Sequence, residues 1–116
     1  MKYLIIILTI IFSSFAATAQ EKEKDIKTET LLVSGCCGMC EKRIEKAAYI
    51  KGVKRADWDK EKRQLTVTYK PSKTSTDDIL KSVADAGYDS EKYTANKEAY
   101  EQLSECCHYR TTTCDH

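Results

Sequence analysis

The spacing of apolar residues changes several times between residues 29 and 93, and the order of these changes constrains the fold more than any other feature. A short apolar run comes first, and residues at helical spacing follow it. Two alternating segments come next, and then a second segment at helical spacing. Alternation is typical of half-buried strands, and recurrence every three or four residues is typical of amphipathic helices. The sequence therefore predicts strand, helix, strand, strand and helix, followed by a weak final strand.

Glycines and capping residues set the limits of these elements. Gly52 and Gly87 are suited to end the first two helices, and Ser75 or Thr76 to cap the second. A third helix is predicted from Thr94 to about residue 104. We predict an α+β fold, a ferredoxin-like βαββαβ sandwich with two helices on one face of an antiparallel sheet and a C-terminal helical extension. The predicted strands are residues 29–34, 53–58, 64–69 and 88–93, and the first helix begins at Cys40.

The N-terminal residues have the form of a secretory signal peptide. Lys2 is followed by an apolar run and then by Ala17-Thr18-Ala19, a small-x-small site for signal peptidase. The apolar run, residues 4–12, is shorter than the roughly 20 residues that cross a bilayer, which disfavours an N-terminal membrane anchor. We therefore expect residues 1–19 to be removed and the protein to be exported, as a periplasmic or secreted protein.

The charge of the remaining chain is balanced. Removing residues 1–19 from the 116-residue chain takes away one lysine and no acid, which leaves 18 basic and 18 acidic side chains. This balance argues against partners that are bound through a basic surface, such as nucleic acid or a membrane. Residues 20–28 are highly charged and predict a disordered lead-in. Residues 29–93 then form one domain, and residues 94–116 form a helix and a tail that contains cysteine and histidine.

The cysteines lie in two clusters. In an exported protein, cysteines usually form a disulfide framework. Framework cysteines are spread along the chain, however, and adjacent cysteines bridge each other only with strain. The clustering therefore favours sets of thiolate ligands, although a bridge within the tail stays open. The six residues are Cys36, Cys37 and Cys40 in the first cluster and Cys106, Cys107 and Cys114 in the second.

The sequence Cys37-Gly38-Met39-Cys40 lies between the first strand and the first helix. Two thiols at this spacing can converge on one point, and a helix N-terminus stabilises their thiolate forms. Thiolates are soft ligands that favour Cu(I), Zn(II) and related ions such as Hg(II). Two sulfurs suit a linearly coordinated soft ion better than zinc, which takes four donors. An exposed pair can also release its ion, because a partner's thiolate can bind before the first one leaves.

The residues around this pair resemble the heavy-metal-associated domain family. That family includes copper chaperones, the metal-binding domains of copper-exporting ATPases and the periplasmic mercuric-ion binding protein. Its pattern has a Gly-Met-x-Cys-x-x-Cys loop before a helix, a Gly-Val near the second strand and an Ala-Gly-Tyr after the second helix. The matching residues here are Val33, Gly35, Cys37, Cys40, Ile44, Glu45, Gly52-Val53 and Ala86-Gly87-Tyr88.

The resemblance implies specific roles for three residues. Cys37 and Cys40 would bind the metal, and Tyr88 would lie near the metal loop and shield it. An ordinary core position at a helix end stays open for Tyr88. The loop is one residue shorter than the family's, and Cys36 stands where the family has methionine. Cys36 is therefore a candidate third donor on its own chemistry, and the resemblance gives it no role.

The C-terminal cysteines and histidines form a second candidate site that the family does not require. Thiolate and imidazole groups together can hold Cu(I) or Zn(II), or the tail can fold back to complete the first site. A disulfide from Cys114 to Cys106 or Cys107 is the alternative. Further candidate ligands are therefore Cys106, Cys107 and His108, with Cys114 and His116 beyond them.

We predict an exported metal-binding protein that is not an enzyme. Cu(I) is the expected ion, with Hg(II) or Zn(II) as alternatives, and Cys37 and Cys40 would sequester it or pass it to a thiol-bearing partner protein. One alternative is a thiol–disulfide oxidoreductase that uses the same pair. Against it, no tryptophan precedes the pair, and the single proline, Pro71, leads into a charged loop. A mercuric-ion scavenger and a purely structural protein with paired sulfurs are the remaining hypotheses.

Overall fold

The structure is a computed structural model that describes residues 25–111. Within that range, a three-stranded sheet carries two helices, and a short helical segment follows them. The predicted signal peptide, residues 20–24 of the lead-in and the last five residues, with Cys114 and His116, lie outside the described residues. The elements are β1 (Lys27–Leu32), α1 (Gly38–Ala48), β2 (Val53–Asp59), β3 (Gln64–Tyr69), α2 (Thr76–Asp85), α3 (Lys97–Glu101) and a 3-10 helix (Glu105–Cys107).

The sheet is antiparallel and has the strand order β1-β3-β2. β1 pairs with β3 along its whole length, from Lys27 opposite Tyr69 to Leu32 opposite Gln64. It begins two residues earlier than predicted, because β3 is long enough to supply partners for Lys27 and Thr28. The hairpin of β2 and β3 is the alternating pair that the sequence predicted, with a register shift between Val53 and Arg55.

The predicted final strand, residues 88–93, is reduced in the described chain to one isolated bridge between Val33 and Ser90. The Ser90 hydroxyl accepts hydrogen bonds from the backbone N–H groups of Lys92 and Tyr93 at 3.3 and 3.1 Å. These bonds close a turn and compete with strand pairing. The result is an open, three-stranded ferredoxin-like fold in which a turn occupies the position of the fourth strand.

The core lies between one face of the sheet and helices α1 and α2. Ala56 and Trp58 of β2 point into it, together with alternate residues of β3, as the alternation predicted. Burying one large aliphatic side chain stabilises a fold by roughly 1.5–3 kcal/mol, so this layer is the main source of stability. The buried helix residues are Cys40, Ile44 and Ala48 of α1 and Ile79, Leu80, Val83 and Ala84 of α2.

Helix α1 begins two residues earlier than predicted, at Gly38. Cys37 takes the N-cap position with an extended backbone, at φ −130° and ψ 178°. Both cysteines of the pair are therefore fixed by the start of one helix. Helix α2 is capped as predicted, since the Ser75 hydroxyl accepts a hydrogen bond from the Asp78 N–H at 3.2 Å. Among the described residues, no helix has the length and apolar character that a membrane crossing requires.

The C-terminal helix, α3, is shorter than predicted, and Asn96 caps it instead of Thr94. The Asn96 side chain accepts a hydrogen bond from the Ala99 N–H at 3.0 Å. The cause lies just before the cap, where the Ala95 N–H donates to Asp89 Oδ1 at 2.7 Å and is held outside the helix. After α3 the chain forms the 3-10 helix, whose cysteines lie against the start of α1.

Candidate metal centre

The cysteine loop, residues 35–40, joins β1 to α1 and is held by Trp58 of β2. The Trp58 indole N–H donates to the Val33 carbonyl at 3.0 Å, and its backbone N–H donates to Glu45 Oε2 in α1 at 2.9 Å. A Cβ atom on Gly35 would lie 2.8 Å from the Trp58 ring, so glycine lets the loop pass this closely. One buried tryptophan thus fixes the loop against both neighbouring elements.

Cys37 and Cys40 converge at the N-terminus of α1. Their sulfurs are 3.5 Å apart, and both residues are free thiols. Cys37 is partly exposed, whereas Cys40 is completely buried. The expectation of an exposed pair is therefore wrong for Cys40, because C-terminal residues pack against it. Solvent reaches the pair from the Cys37 side.

The 3-10 helix brings two further thiols to this pair. The Cys37 sulfur lies 3.4 Å from that of Cys106 and 3.5 Å from that of Cys107. The sulfurs of Cys37, Cys40 and Cys107 all lie within 4.8 Å of one another, and we call these three residues the thiol group. Cys106 is exposed and Cys107 is buried. Both are free, so neither forms the disulfide to the tail that the sequence left open.

Residues 100–111, which we call the C-terminal arm, are fastened to the turn after α2. The Tyr109 hydroxyl donates to the Gly87 carbonyl and accepts from the Asp89 N–H, both at 2.8 Å. Arg110 donates two hydrogen bonds to the Asp89 carboxylate, at 2.9 and 2.7 Å. Two-point pairing of this kind fixes orientation as well as adding energy. These contacts hold the 3-10 helix over the cysteine loop.

The Cys37 thiol is poised to ionise near neutral pH. Burial opposes its ionisation, but the Cys40 backbone N–H and the thiols of Cys106 and Cys107 outweigh that effect and lower the pKa of Cys37 to about 7. N–H groups at a helix start stabilise thiolates because they present partial positive charge. Cys37 therefore offers a thiolate to an arriving cation near neutral pH.

The neighbouring thiols hold their protons more strongly. Burial raises the pKa of Cys107, and the nearby Cys40 and Cys37 raise it further. Contact with Cys37 raises the pKa of Cys106. Closely packed thiols do not all ionise together, since like charges repel. A bound cation would supply the missing positive charge, and its binding would release the remaining protons.

Tyr88 lies in the core beside the thiol group. It is fully buried, and its hydroxyl has no hydrogen-bond partner of standard geometry among the described residues. Burial raises the pKa of Tyr88, and the adjacent Cys40 and Cys107 raise it further. The position combines both expectations for this residue, a core tyrosine at a helix end and a side chain close to the cysteine loop.

Two candidate ligands lie apart from the thiol group. Cys36 is buried in the core and is disulfide-bonded, so it does not offer a free thiol. His108 packs against the ring of Tyr100, with centroids 5.1 Å apart, and its nitrogens are not part of the thiol group. Ligand roles for Cys36 and His108 stay predictions.

The residues that fasten the arm were not found from the sequence. Tyr109 and Arg110 lie about 20 residues beyond their partner Asp89, and no periodicity connects them. Arg110 holds the pKa of the Asp89 carboxyl below its usual range, against the opposing effect of burial. This coupling exists only in the folded chain, and no spacing rule in a single sequence indicates it.

Comparison with known proteins agrees with the geometry. The heavy-metal-associated domain model matches residues 30–89. The mercuric transport protein periplasmic component of Pseudomonas aeruginosa is 41% identical over 66 residues, which are 55% of this chain and 72% of that protein. The structure of the CopZ metallochaperone is 36% identical, with a TM-score of 0.53, and the match covers 55% of this chain and 98% of that one.

A third match is a copper binding domain from HMA7, a P-type ATPase. It is 26% identical with a TM-score of 0.53, and the match covers 55% of this chain and 89% of that one. The region that matches the family model ends at residue 89, before the C-terminal arm begins. Cys106 and Cys107 therefore lie outside the matched region, and the arm adds them to the cysteine loop.

Proposed function

The chain belongs to the heavy-metal-associated domain family, and from this premise we propose that it binds a soft metal ion, expected to be Cu(I), through Cys37 and Cys40. Similarity to a periplasmic mercuric transport component and to a copper metallochaperone supports heavy-metal binding. The ion is sequestered, or passed on by exchange of thiolate ligands. The protein carries out no covalent chemistry on a substrate.

The observation that carries the proposal is the convergence of three free thiols at one helix start. Metal–sulfur bonds of about 2.3 Å place three sulfurs around one ion about 4 Å apart. The sulfurs of the thiol group lie within 4.8 Å of one another, and that of Cys37 is 3.5 Å from those of Cys40 and Cys107, so small side-chain adjustments suffice for binding. The arrangement supports a single ion bound at the start of α1.

The number and softness of the donors support Cu(I) over Zn(II). Thiolates select soft ions, and Cu(I) accepts two or three of them. A structural zinc site takes four donors in a tetrahedron, and the thiol group offers three among the described residues, while Cys106, with its sulfur 3.4 Å from that of Cys37, lies outside it. Hg(II) is the second candidate, and one observation favours it: a 41% identical relative is named for mercuric transport.

We also propose that the protein works outside the cytoplasm and delivers its ion to a protein with a thiol pair of its own. The signal-peptide pattern of residues 1–19 and the periplasmic naming of two relatives support export. Similarity both to a metallochaperone and to a copper binding domain of a P-type ATPase supports a thiol-bearing partner. Ligand exchange between two such pairs needs no strong complex, only transient contact.

Anaerobic titration of the reduced, exported protein with Cu(I), against a chromophoric Cu(I) chelator, tests the proposal. We expect one tightly held equivalent. The Cys37→Ser/Cys40→Ser variant should lose it. Met39→Leu is the matched control, because Met39 is an exposed soft donor in the same loop that the proposal does not use. Competition with Hg(II) then establishes which ion the site prefers.

The oxidoreductase hypothesis uses the same pair and is separated by a second measurement. It requires a reduction potential between about −270 and −120 mV and turnover of a model disulfide. Such activity together with unchanged Cu(I) binding in the Cys37→Ser/Cys40→Ser variant would overturn the metal-binding proposal. A purely structural role predicts that all sulfurs are paired. Titration of free thiols in native protein tests that hypothesis.

A further inference from the structure

The C-terminal arm places a third thiol on the cysteine loop from within the same chain. Building on the proposed function, we propose that Cys107 binds the ion together with Cys37 and Cys40, and that the arm controls its release. An acceptor protein's thiolate must displace Cys107, and with it the arm, before the ion leaves. The face of the cysteine loop that the C-terminal arm covers is thus the docking face for a thiol-bearing acceptor protein.

Burial distinguishes Cys107 from its neighbour. Cys107 is completely buried and belongs to the thiol group, whereas Cys106 is exposed and does not. The two are adjacent on one 3-10 helix, so the fold presents one inward, buried thiol and one exposed thiol whose sulfur still lies 3.4 Å from that of Cys37. The inward thiol meets Cys37 at 3.5 Å, across 70 residues of sequence.

The wall of the site is also suited to a bound thiolate. The Tyr88 hydroxyl is fully buried, lacks a hydrogen-bond partner of standard geometry among the described residues, and interacts with the thiols of Cys40 and Cys107. A buried hydroxyl without a partner is destabilising, and a thiolate accepts a hydrogen bond more strongly than a thiol. A metal-bound thiolate of Cys40 or Cys107 would offer the Tyr88 hydroxyl a stronger acceptor than the thiol does.

The fastening of the arm is suited to reversible opening. Its described anchors are the Tyr109 hydroxyl bonds and the Arg110–Asp89 ion pair, whose side chains are 37% and 26% exposed. The apolar contacts of the arm are made by the buried residues Leu103 and Cys107 and by the partly buried rings of Tyr100 and Tyr109. Most of the core lies between the sheet and helices α1 and α2, so opening of the arm leaves most of it in place.

Ligand exchange at this site balances without any change of oxidation state. Binding of Cu(I) forms three sulfur–copper bonds and releases the thiol protons to solvent. During transfer, an acceptor thiolate forms a bond to the ion as the Cys107–copper bond breaks, and Cys107 takes up a proton from water. Repetition at Cys37 and Cys40 completes the transfer, and copper remains Cu(I) throughout.

Single substitutions of the adjacent thiols test the ligand role. Cys107→Ser should weaken Cu(I) binding by at least about tenfold, because loss of a group that merely orients a metal ligand already costs about 10- to 100-fold. It should also speed transfer of Cu(I) from loaded protein to a competing chelator. Cys106→Ser is the matched comparison: its sulfur lies 3.4 Å from that of Cys37 but outside the thiol group, so both effects should be smaller than in Cys107→Ser. Circular dichroism checks that both variants are folded.

A second pair of variants tests the control of release with all thiols intact. Arg110→Ala removes the ion pair to Asp89, and transfer to the chelator should become about fivefold faster, the upper range for a partly exposed pair. Arg55→Ala is its control, since Arg55 pairs with Asp57 on β2 in an exposed ion pair away from the arm. It should leave the transfer rate unchanged.

The outcomes separate this inference from the proposed function. Loss of Cu(I) binding in Cys37→Ser/Cys40→Ser, together with unchanged affinity and transfer in Cys107→Ser, would retain the metal site and overturn the role of the arm. Equal effects of Cys106→Ser and Cys107→Ser would also overturn it, because the inward thiol would have no special part. Absence of Cu(I) binding by the unsubstituted protein would overturn the proposed function itself.

Discussion

The Tyr109 hydroxyl makes two of the hydrogen bonds that fasten the C-terminal arm. The Tyr109 hydroxyl lies between the Gly87 carbonyl and the Asp89 N–H, 2.8 Å from each. Tyr109→Phe removes both hydrogen bonds and keeps the ring, whose centroid lies 5.8 Å from that of Tyr88. The substitution therefore weakens the fastening without emptying the space that the arm fills.

The size of the effect follows from the two bonds. A typical intramolecular hydrogen bond contributes about 0.5–1.5 kcal/mol, so losing two costs about 1–3 kcal/mol. Each 1.4 kcal/mol is a tenfold change in an equilibrium constant, and the fraction of molecules with an open arm should rise about 5- to 150-fold. Because most of the core lies between the sheet and helices α1 and α2, and the arm adds Leu103 and Cys107 to its buried residues, most of this change should appear as local opening.

Alkylation of Cys107 in the reduced, metal-free protein measures that opening. Cys107 is completely buried, so the reagent reaches it when the arm opens. If closing is faster than alkylation, the labelling rate follows the opening equilibrium. We expect labelling of Cys107 by N-ethylmaleimide to become about 5- to 150-fold faster in Tyr109→Phe, measured by mass spectrometry of peptides.

Two controls accompany this measurement. Cys106 is exposed and should be labelled at a similar rate in both proteins. Tyr93→Phe removes a different hydroxyl, which donates to Asp77 Oδ1 at 2.5 Å away from the arm, and should leave Cys107 protected. If Cys107 is labelled equally fast with and without the Tyr109 hydroxyl, the reasoning about the arm is refuted.

Three further predictions concern ionisation and packing. Since the Cys37 pKa is about 7, its alkylation rate should be low at acid pH, increase with a midpoint near pH 7 and level off above it. Mass spectrometry over a pH series measures this rate. Gly35→Ala should destabilise the domain by about 1–3 kcal/mol in urea unfolding, because its Cβ would lie 2.8 Å from the Trp58 ring. The lowered pKa of Asp89 should stabilise the closed arm above about pH 4, the value of an unfolded Asp, and that stability should be lost as pH falls through the folded-state pKa. The ratio of Cys107 to Cys106 labelling at each pH measures this last effect, because both thiols lose their reactive thiolate form as pH falls.

Each of these three predictions has a result that would contradict it. A Cys37 midpoint above about pH 8.5, the value of an unperturbed thiol, would show that the neighbouring groups do not stabilise its thiolate. Gly38→Ala is the control for Gly35→Ala, since its Cβ meets nothing within 4 Å, and equal destabilisation by both would contradict the packing argument. An unchanged acid response in Asp89→Asn would remove Asp89 from the fastening of the arm.

Sequence reasoning was most successful where the cause is local. The inward positions of β2 and β3 follow from alternation, and Ala56 and Trp58 are buried as predicted. The cap of α2 at Ser75 and the positive φ of Gly87, 104°, follow from the chemistry of single residues. The convergence of Cys37 and Cys40 follows from their spacing at a helix start. Each inference needs only neighbours along the chain.

Sequence reasoning was least successful in the polar segments of the chain. Residues 88–93 were expected to form a strand, but the Ser90 hydroxyl captures nearby N–H groups and leaves a single bridge. The third helix was expected from Thr94, but Asp89 holds the Ala95 N–H outside it. Side-chain bonds of this kind compete with regular structure, and a hydrophobic pattern does not show which of them forms.

By itself, the sequence determined the order of strands and helices and the placing of a thiol pair at the start of a helix, because periodicity and spacing act over a few residues. The tertiary structure alone decided that Cys107 joins that pair as a buried thiol, while Cys106 stays exposed with its sulfur 3.4 Å from that of Cys37. This choice depends on the Tyr109 hydroxyl and the Arg110 guanidinium meeting the turn after α2, some 20 residues earlier in the chain. Such a fit exists only once the core has brought both surfaces together.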